Sequence, residues 1–125
     1  MRFELKYGIP FVSAIFKHGD KEIILENVVI DTGSGGTILP TETAFELGLE
    51  AELNDTLHRI RGVGGTEFVY EKAIDSIQLG NVEVYNFQIQ IGAMNYGFGI
   101  DAILGMNFLK SGKLLIDCGK LEIRE

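Results

Sequence analysis

The chain has 125 residues, the size of one ordinary domain, with 46% hydrophobic and 23% charged residues, the balance a soluble globular core requires. Its net charge of -7 repels phosphate backbones and its eleven Lys and Arg residues are scattered, which excludes nucleic acid as an expected partner. Charges interrupt every apolar stretch before the roughly 18 residues a bilayer span needs, and Met1-Arg2-Phe3-Glu4-Leu5-Lys6 lacks a signal-peptide core, so a cytoplasmic protein without a membrane partner is expected.

Sixteen glycines against two prolines, with no Ser-rich or charge-block stretch, predict tight turns and one domain over residues 1–125. In chain order, β-branched and aromatic runs predict strands over residues 10–17, 22–30, 66–74, 82–91 and 113–117. His18-Gly19-Asp20-Lys21 joins the first two as a hairpin turn, and Leu79-Gly80-Asn81-Val82 makes a similar one later. A two-turn helix fits residues 41–47, with Thr41 or Thr43 as cap and Gly48 as stop. A second, of little more than one turn, fits residues 107–112, opened by Asn107 and ended by glycine. The pattern is all-β, a sheet-rich sandwich or barrel with short connections. A single cysteine, Cys118, rules out an internal disulfide, fits a reducing compartment and, on an apolar strand, reads as inert core.

The chemistry concentrates where the apolar run Asn27-Val28-Val29-Ile30 opens into Asp31-Thr32-Gly33-Ser34-Gly35-Gly36-Thr37. A charge is expensive at a buried strand end unless neighbouring N–H and hydroxyl groups hold it, and the small residues after Thr32 allow that close approach. The bland alternative is an ordinary turn with Asp31 as an Asx-type cap. Downstream, Arg61-Gly62-Val63-Gly64-Gly65-Thr66 is a glycine-dense hairpin tip, either a lid over a groove or an unremarkable exposed turn. Further on, in Gly99-Ile100-Asp101-Ala102-Ile103-Leu104-Gly105-Met106-Asn107-Phe108-Leu109, a core role explains the apolar residues but not the Asp101 and Gly105 that flank them.

Three ordered motifs, Val29-Ile30-Asp31-Thr32-Gly33-Ser34-Gly35, Gly62-Val63-Gly64-Gly65 and residues 101–109, resemble the retropepsin-like aspartic proteases, particularly their bacterial and DNA-damage-inducible single-domain members. Thr37-Ile38-Leu39-Pro40, followed by a short helix ending at Leu47-Gly48-Leu49, is similar to the family's continuation after its catalytic loop. The resemblance implies a closed six-stranded acid-protease barrel with one or two short helices. It implies Asp31 as catalytic carboxylate, Thr32 gripping the counterpart loop across a dimer axis, and Gly33 allowing the two loops to approach. Ser34 would hydrogen-bond the outer carboxylate oxygen, residues 62–65 would form a flap, and Ile103-Leu104-Gly105 would cross behind the catalytic loop. The residues expected to meet substrate are Ser34, Gly35, Gly62, Val63, Gly64, Gly65, Asp101 and Ile103. The chain departs from viral members in the longer segment between flap and support, where residues 93–99 form an extra loop.

Peptide hydrolysis by carboxylates needs one group to deprotonate water and another to protonate the carbonyl oxygen, so one Asp31 requires a second from a two-fold mate. Such a pair titrates as a unit, favouring mildly acidic pH, and needs neither metal nor other cofactor. Leu114-Leu115-Ile116-Asp117-Cys118-Gly119 echoes the catalytic motif, but only six residues follow Gly119, too few for a supporting loop, so this last strand is expected to serve a dimer sheet. Ser34 lacks the glycine two places before it that a nucleophile elbow needs, and neither glycine cluster completes a dinucleotide fingerprint. His18 and His58 form no metal-ligand pattern. The expected function is thus a homodimeric aspartic endopeptidase acting on peptide or protein substrates. The alternative is a catalytically weak peptide-binding or dimerisation module on the same fold.

Overall fold

The β-branched and aromatic runs do form strands in the computed structural model, which describes residues 1–62, 65–94 and 99–125. In chain order the elements are β1 (Glu4–Lys6), β2 (Ile9–His18), β3 (Lys21–Ile30), β4 (Ile38–Pro40), α1 (Thr41–Glu46), β5 (Leu57–Gly62), β6 (Gly65–Leu79), β7 (Val82–Gly92), β8 (Ala102–Leu104), α2 (Met106–Ser111), β9 (Leu115–Asp117) and β10 (Glu122–Arg124). The two expected hairpin turns fall at Gly19 (φ +60) and Gly80 (φ +59), in the left-handed region glycine adopts freely.

The main sheet runs β1-β2-β3-β8-β4-β7-β6-β5, and β2 also pairs with β6 through Ile15↔Gln78, Phe16↔Ile77 and Lys17↔Ser76. Six strands (β2, β3, β8, β4, β7 and β6) therefore close on themselves in a ring, as the resemblance implied. Inside it pack Phe16, Val28, Leu39, Ile77, Ile89 and Leu104. Burying each such side chain contributes about 1.5–3 kcal/mol. Phe108 of α2 meets Phe87 of β7 edge to face, centroids 5.7 Å apart, which docks α2 against this core. On the opposite face of the strands a smaller cluster forms from Phe11, Val29, Ile38 and Ile103, with Ile9, Met94 and Ile100 against it.

Both helices lie where expected, but their caps differ from expectation. Helix α1 starts directly from Pro40, the last residue of β4, with no side-chain cap, because β4 leaves no residue between strand and helix for a threonine to fill. At its end Gly48 takes φ +84, Gly48 N–H reaches the Phe45 carbonyl and Leu49 N–H the Ala44 carbonyl, a Schellman closure. Helix α2 is capped by Gly105 rather than Asn107, which lies inside it with its side chain turned to other work. Its left-handed closing residue is Lys113 (φ +54), whereas Gly112 keeps a helical φ of -79. Gly112 is there for space: a Cβ would sit 3.1 Å from Val82 Cγ1.

At the C-terminal end, β10 is paired on both sides, to β9 and to residues 1–3, through the Arg2↔Glu122 bridge and the Phe3 N–H to Leu121 carbonyl bond (3.0 Å). Strand β10, which lies beyond the last strand expected from the sequence, is thus occupied within its own chain. Cys118 is exposed rather than core, since the apolar run ends at Asp117, whose Oδ1 accepts the Lys120 N–H (2.9 Å) in the β9–β10 turn. Among the described residues no helix is long and apolar enough to cross a membrane.

Candidate active site

The site follows from how β3, β8 and β4 are threaded. β3 and β4 are joined by the residue 31–37 loop, yet they do not pair; β8 enters between them, parallel to β3 (Val28↔Ala102, Val29↔Ile103, Ile30↔Leu104) and antiparallel to β4 (Ile38↔Ile103). The glycine-rich loop must therefore bridge over the end of β8, and small residues let it do so. At the crossing, a Cβ on Gly105 would lie 2.1 Å from the Gly36 carbonyl oxygen and 2.7 Å from that of Ser34.

Hydrogen bonds fix the loop to its support. Asp31 N–H donates to the Leu104 carbonyl (3.0 Å), Met106 N–H to the Ser34 carbonyl (2.7 Å) and Asn107 N–H to the Gly35 carbonyl (3.3 Å). Beneath them lies fully buried Thr37, whose hydroxyl donates to Asn107 Oδ1 (2.8 Å) and accepts the Gly105 N–H (3.2 Å). Asn107 Oδ1 also takes the Phe108 N–H (2.8 Å), so one carboxamide ties helix start to loop. The sequence singled out Asn107 as a cap and gave Thr37 no role. The available signal was a hydroxyl residue directly before an apolar strand, where burial demands a partner.

Asp31 is half-buried, and Gly33 N–H donates to its Oδ1 (2.9 Å). Ser34 does not hold the outer carboxylate oxygen as expected; its hydroxyl donates to the Gly36 carbonyl (2.7 Å), because the tight loop brings that acceptor nearer. Thr32, Gly33 and Gly35 are exposed beside the carboxyl group. Strand alternation carries Asp31 to the face of Val29, so its floor is the smaller apolar cluster of Val29, Ile38 and Ile103.

Of the other expected site residues, Ile103 joins this floor, but Asp101 lies at the far end of the β3–β8 ladder. Its Oδ2 accepts the Asn27 N–H (3.0 Å) and its own N–H donates to the Asn27 carbonyl (2.8 Å), closing the ladder four residues from Asp31, about 13 Å along a strand. Gly62 and Gly65 pair at the end of the β5–β6 ladder; Val63 and Gly64 lie outside the described residues, as do residues 95–98 of the extra loop. At the base of that ladder His58 Nε2 sits 2.8 Å from Glu71 Oε1, and Gln88 Nε2 donates to Glu71 Oε2. Lys72 Nζ holds both Glu52 (2.7 Å) and Asp55 (2.9 Å), pinning the segment before β5 to β6.

The family model for gag-polyprotein putative aspartyl proteases matches residues 26–111, from before the Asp31 loop to the end of α2. Among solved structures, the crystal structure of a retropepsin-like aspartic protease from Rickettsia conorii is similar, with a TM-score of 0.70 at 21% identity, covering 98% of this chain and 95% of that one. No curated protein matches the chain.

Proposed function

Because the chain belongs to the retropepsin-like aspartic proteases, we propose that it is a homodimeric endopeptidase in which two Asp31 carboxyl groups activate water. The observation that carries this reading is the half-buried Asp31 carboxyl group on a loop fastened from below by β8 and α2, with Thr32 and Gly33 exposed beside it. A two-fold mate brings an identical loop to that open side, with each Thr32 hydroxyl reaching the other loop. Like charges at that distance cannot both ionise, so the pair shares one proton. The ionised Asp31 takes a proton from water as its oxygen bonds to the scissile carbonyl carbon, and the protonated Asp31 delivers its proton to the carbonyl oxygen. The tetrahedral diol then collapses: the Asp31 left ionised takes back a hydroxyl proton as the carbonyl re-forms, the C–N bond breaks, and the Asp31 that took the water proton gives it to the departing nitrogen.

Substrate lies extended between the catalytic loops and the paired strands β5 and β6, and Ser34, Gly35 and Ile103 line its path, with apolar side chains over Val29, Ile38 and Ile103. Since β10 is already paired on both sides, the dimer sheet uses β9, for which β10 is the sole partner among the described residues and where Leu115 is exposed. The test compares wild type with Asp31→Asn for peptide cleavage across pH, alongside sedimentation equilibrium. Cleavage at mildly acidic pH that rises with dimer fraction and vanishes in Asp31→Asn is expected. Equal activity in both proteins, or a wild type that is monomeric when active, defeats the assignment. A dimer that binds peptide without cutting it is the binding module instead.

A further inference from the structure

We infer that Gln90 sets a substrate preference, its carboxamide forming the polar far end of the side-chain row that starts below Asp31 and selecting a carboxamide side chain over an apolar one of the same shape. This rests on the protease reading for where the peptide lies. Pairing registers place one lateral row of side chains on the Asp31 face: Phe11↔Val29, Val29↔Ile103, Ile103↔Ile38, Ile38↔Gln90 and Gln90↔Glu71. Its first four members are the apolar cluster; the character changes at Gln90. The backbone there is fixed to the catalytic loop, with Gln90 N–H donating to the Thr37 carbonyl at 2.8 Å.

The side chain lies over Gly36, so closely that a Cβ on that glycine would be 2.7 Å from Gln90 Oε1 and 3.0 Å from its Cδ. The missing side chain of Gly36 thus makes the room the carboxamide fills. Gln90 is half-buried, yet its carboxamide makes no hydrogen bond among the described residues. The carboxamide still reaches water, so a peptide that covers it must replace the hydrogen bonds of the water it displaces. Next in the row, Glu71 is committed, one oxygen to His58 and the other to Gln88, so it does not draw a cation into the trough. What remains is one N–H donor pair and one carbonyl acceptor, the complement of a second carboxamide.

The experiment is a peptide series carrying Gln or its near-isostere Met at each position in turn, read as kcat/KM for wild type, Gln90→Met and Gln90→Glu. Gln90→Glu keeps the shape, loses the donor and carries the comparison should Gln90→Met not fold. In parallel, Kd values for the same peptides are measured by calorimetry on Asp31→Asn with and without each Gln90 change. At one position wild type prefers Gln over Met by about tenfold, the worth of one neutral hydrogen bond pair; Gln90→Met loses that preference, and Gln90→Glu, which keeps only acceptors, shifts it. A Gln/Met ratio that is the same in wild type and variants at every position overturns the inference, as does the absence of peptide binding. Cleavage that depends on Asp31 without any ratio shift removes Gln90 while leaving the protease standing. A Gln90-dependent ratio in binding without any cleavage does the reverse.

Discussion

Gly105 passes beneath Gly36 with no room for a methyl group between them: the Cβ of any other residue would lie 2.1 Å from the Gly36 carbonyl oxygen. The obstructing atoms are backbone, of Gly36 and Ser34, and both belong to the loop that carries Asp31. Relief therefore means moving the Asp31 loop off its support, breaking the Met106 N–H to Ser34 carbonyl bond.

Gly105→Ala is accordingly expected to cost at least about 3 kcal/mol, the upper end of overpacking penalties, since no flexible side chain can give way. Gly35→Ala in the same loop meets nothing within 4 Å and has no left-handed φ, so its stability should stay within about 1 kcal/mol of wild type. Urea unfolding of the two variants decides the matter; equal midpoints would mean that the loop yields at the crossing without cost.

Thr37 acts through others, positioning the loop from inside the protein. Thr37→Val keeps the volume but leaves the Gly105 N–H without its acceptor, at a cost of about 1–3 kcal/mol. Thr37→Ser restores the hydroxyl and most of that stability. If the role is positioning, kcat for peptide cleavage falls in Thr37→Val with KM little changed and returns in Thr37→Ser; identical unfolding midpoints for the Val and Ser variants would remove the hydroxyl from the account.

Helix α2 ends on a strained residue. Lys113 at φ +54 holds a left-handed conformation that costs a side-chain-bearing residue about 1 kcal/mol, while its N–H bonds the Lys110 carbonyl (3.1 Å) to close the helix. Lys113→Gly should therefore raise stability by roughly 0.5–1 kcal/mol, the gain being trimmed by glycine's greater freedom when unfolded. A thermal midpoint that falls instead would show that the lysine stem contributes packing there.

Much of this was legible in the residues. The long strands β2, β3, β6 and β7 and both hairpin turns announce themselves through β-branched runs and through Gly19 and Gly80, because those are local signals, whereas the three-residue β1, β4 and β10 do not. The order of three short motifs carried the fold family as well. What stayed hidden depends on which chain segments meet. Thr37 looks unremarkable until Gly105 and Asn107 arrive from 68 and 70 residues away. Ser34 stands three residues from Asp31 in sequence, yet its hydroxyl donates to a carbonyl two residues on. Cys118 followed an apolar run and so read as core, but the run had already turned at Asp117. Gln90 sits in an alternating strand with nothing to distinguish it from other surface glutamines until register sets it beside Ile38.

Acid should loosen the segment leading into β5 before it unfolds the ring. The Lys72 ammonium, hydrogen-bonded to Asp55, holds that carboxyl group below its ordinary value of 3.8, with the Glu52 N–H adding to the effect. Lys72 is in turn raised above 10.5 by its bonds to Glu52 and Asp55. A depressed carboxylate stabilises the folded state above its unfolded value and loses that contribution as pH falls through the folded one; a raised lysine stabilises below 10.5 and loses its share as pH rises past its folded value. The staple is thus complete from about pH 4 to pH 10. Lys72→Met should lower the thermal midpoint relative to wild type at pH 6, and the gap should shrink steadily below pH 4 as Asp55 protonates in both proteins. Protection of the Asp55 and Glu71 amides, which donate to the Glu52 and Thr56 carbonyls, should fall over the same acid range in wild type when exchange is scaled to the intrinsic rate at each pH. A midpoint difference that persists unchanged at pH 2.5 would mean that Lys72 works through its hydrocarbon stem rather than its charge.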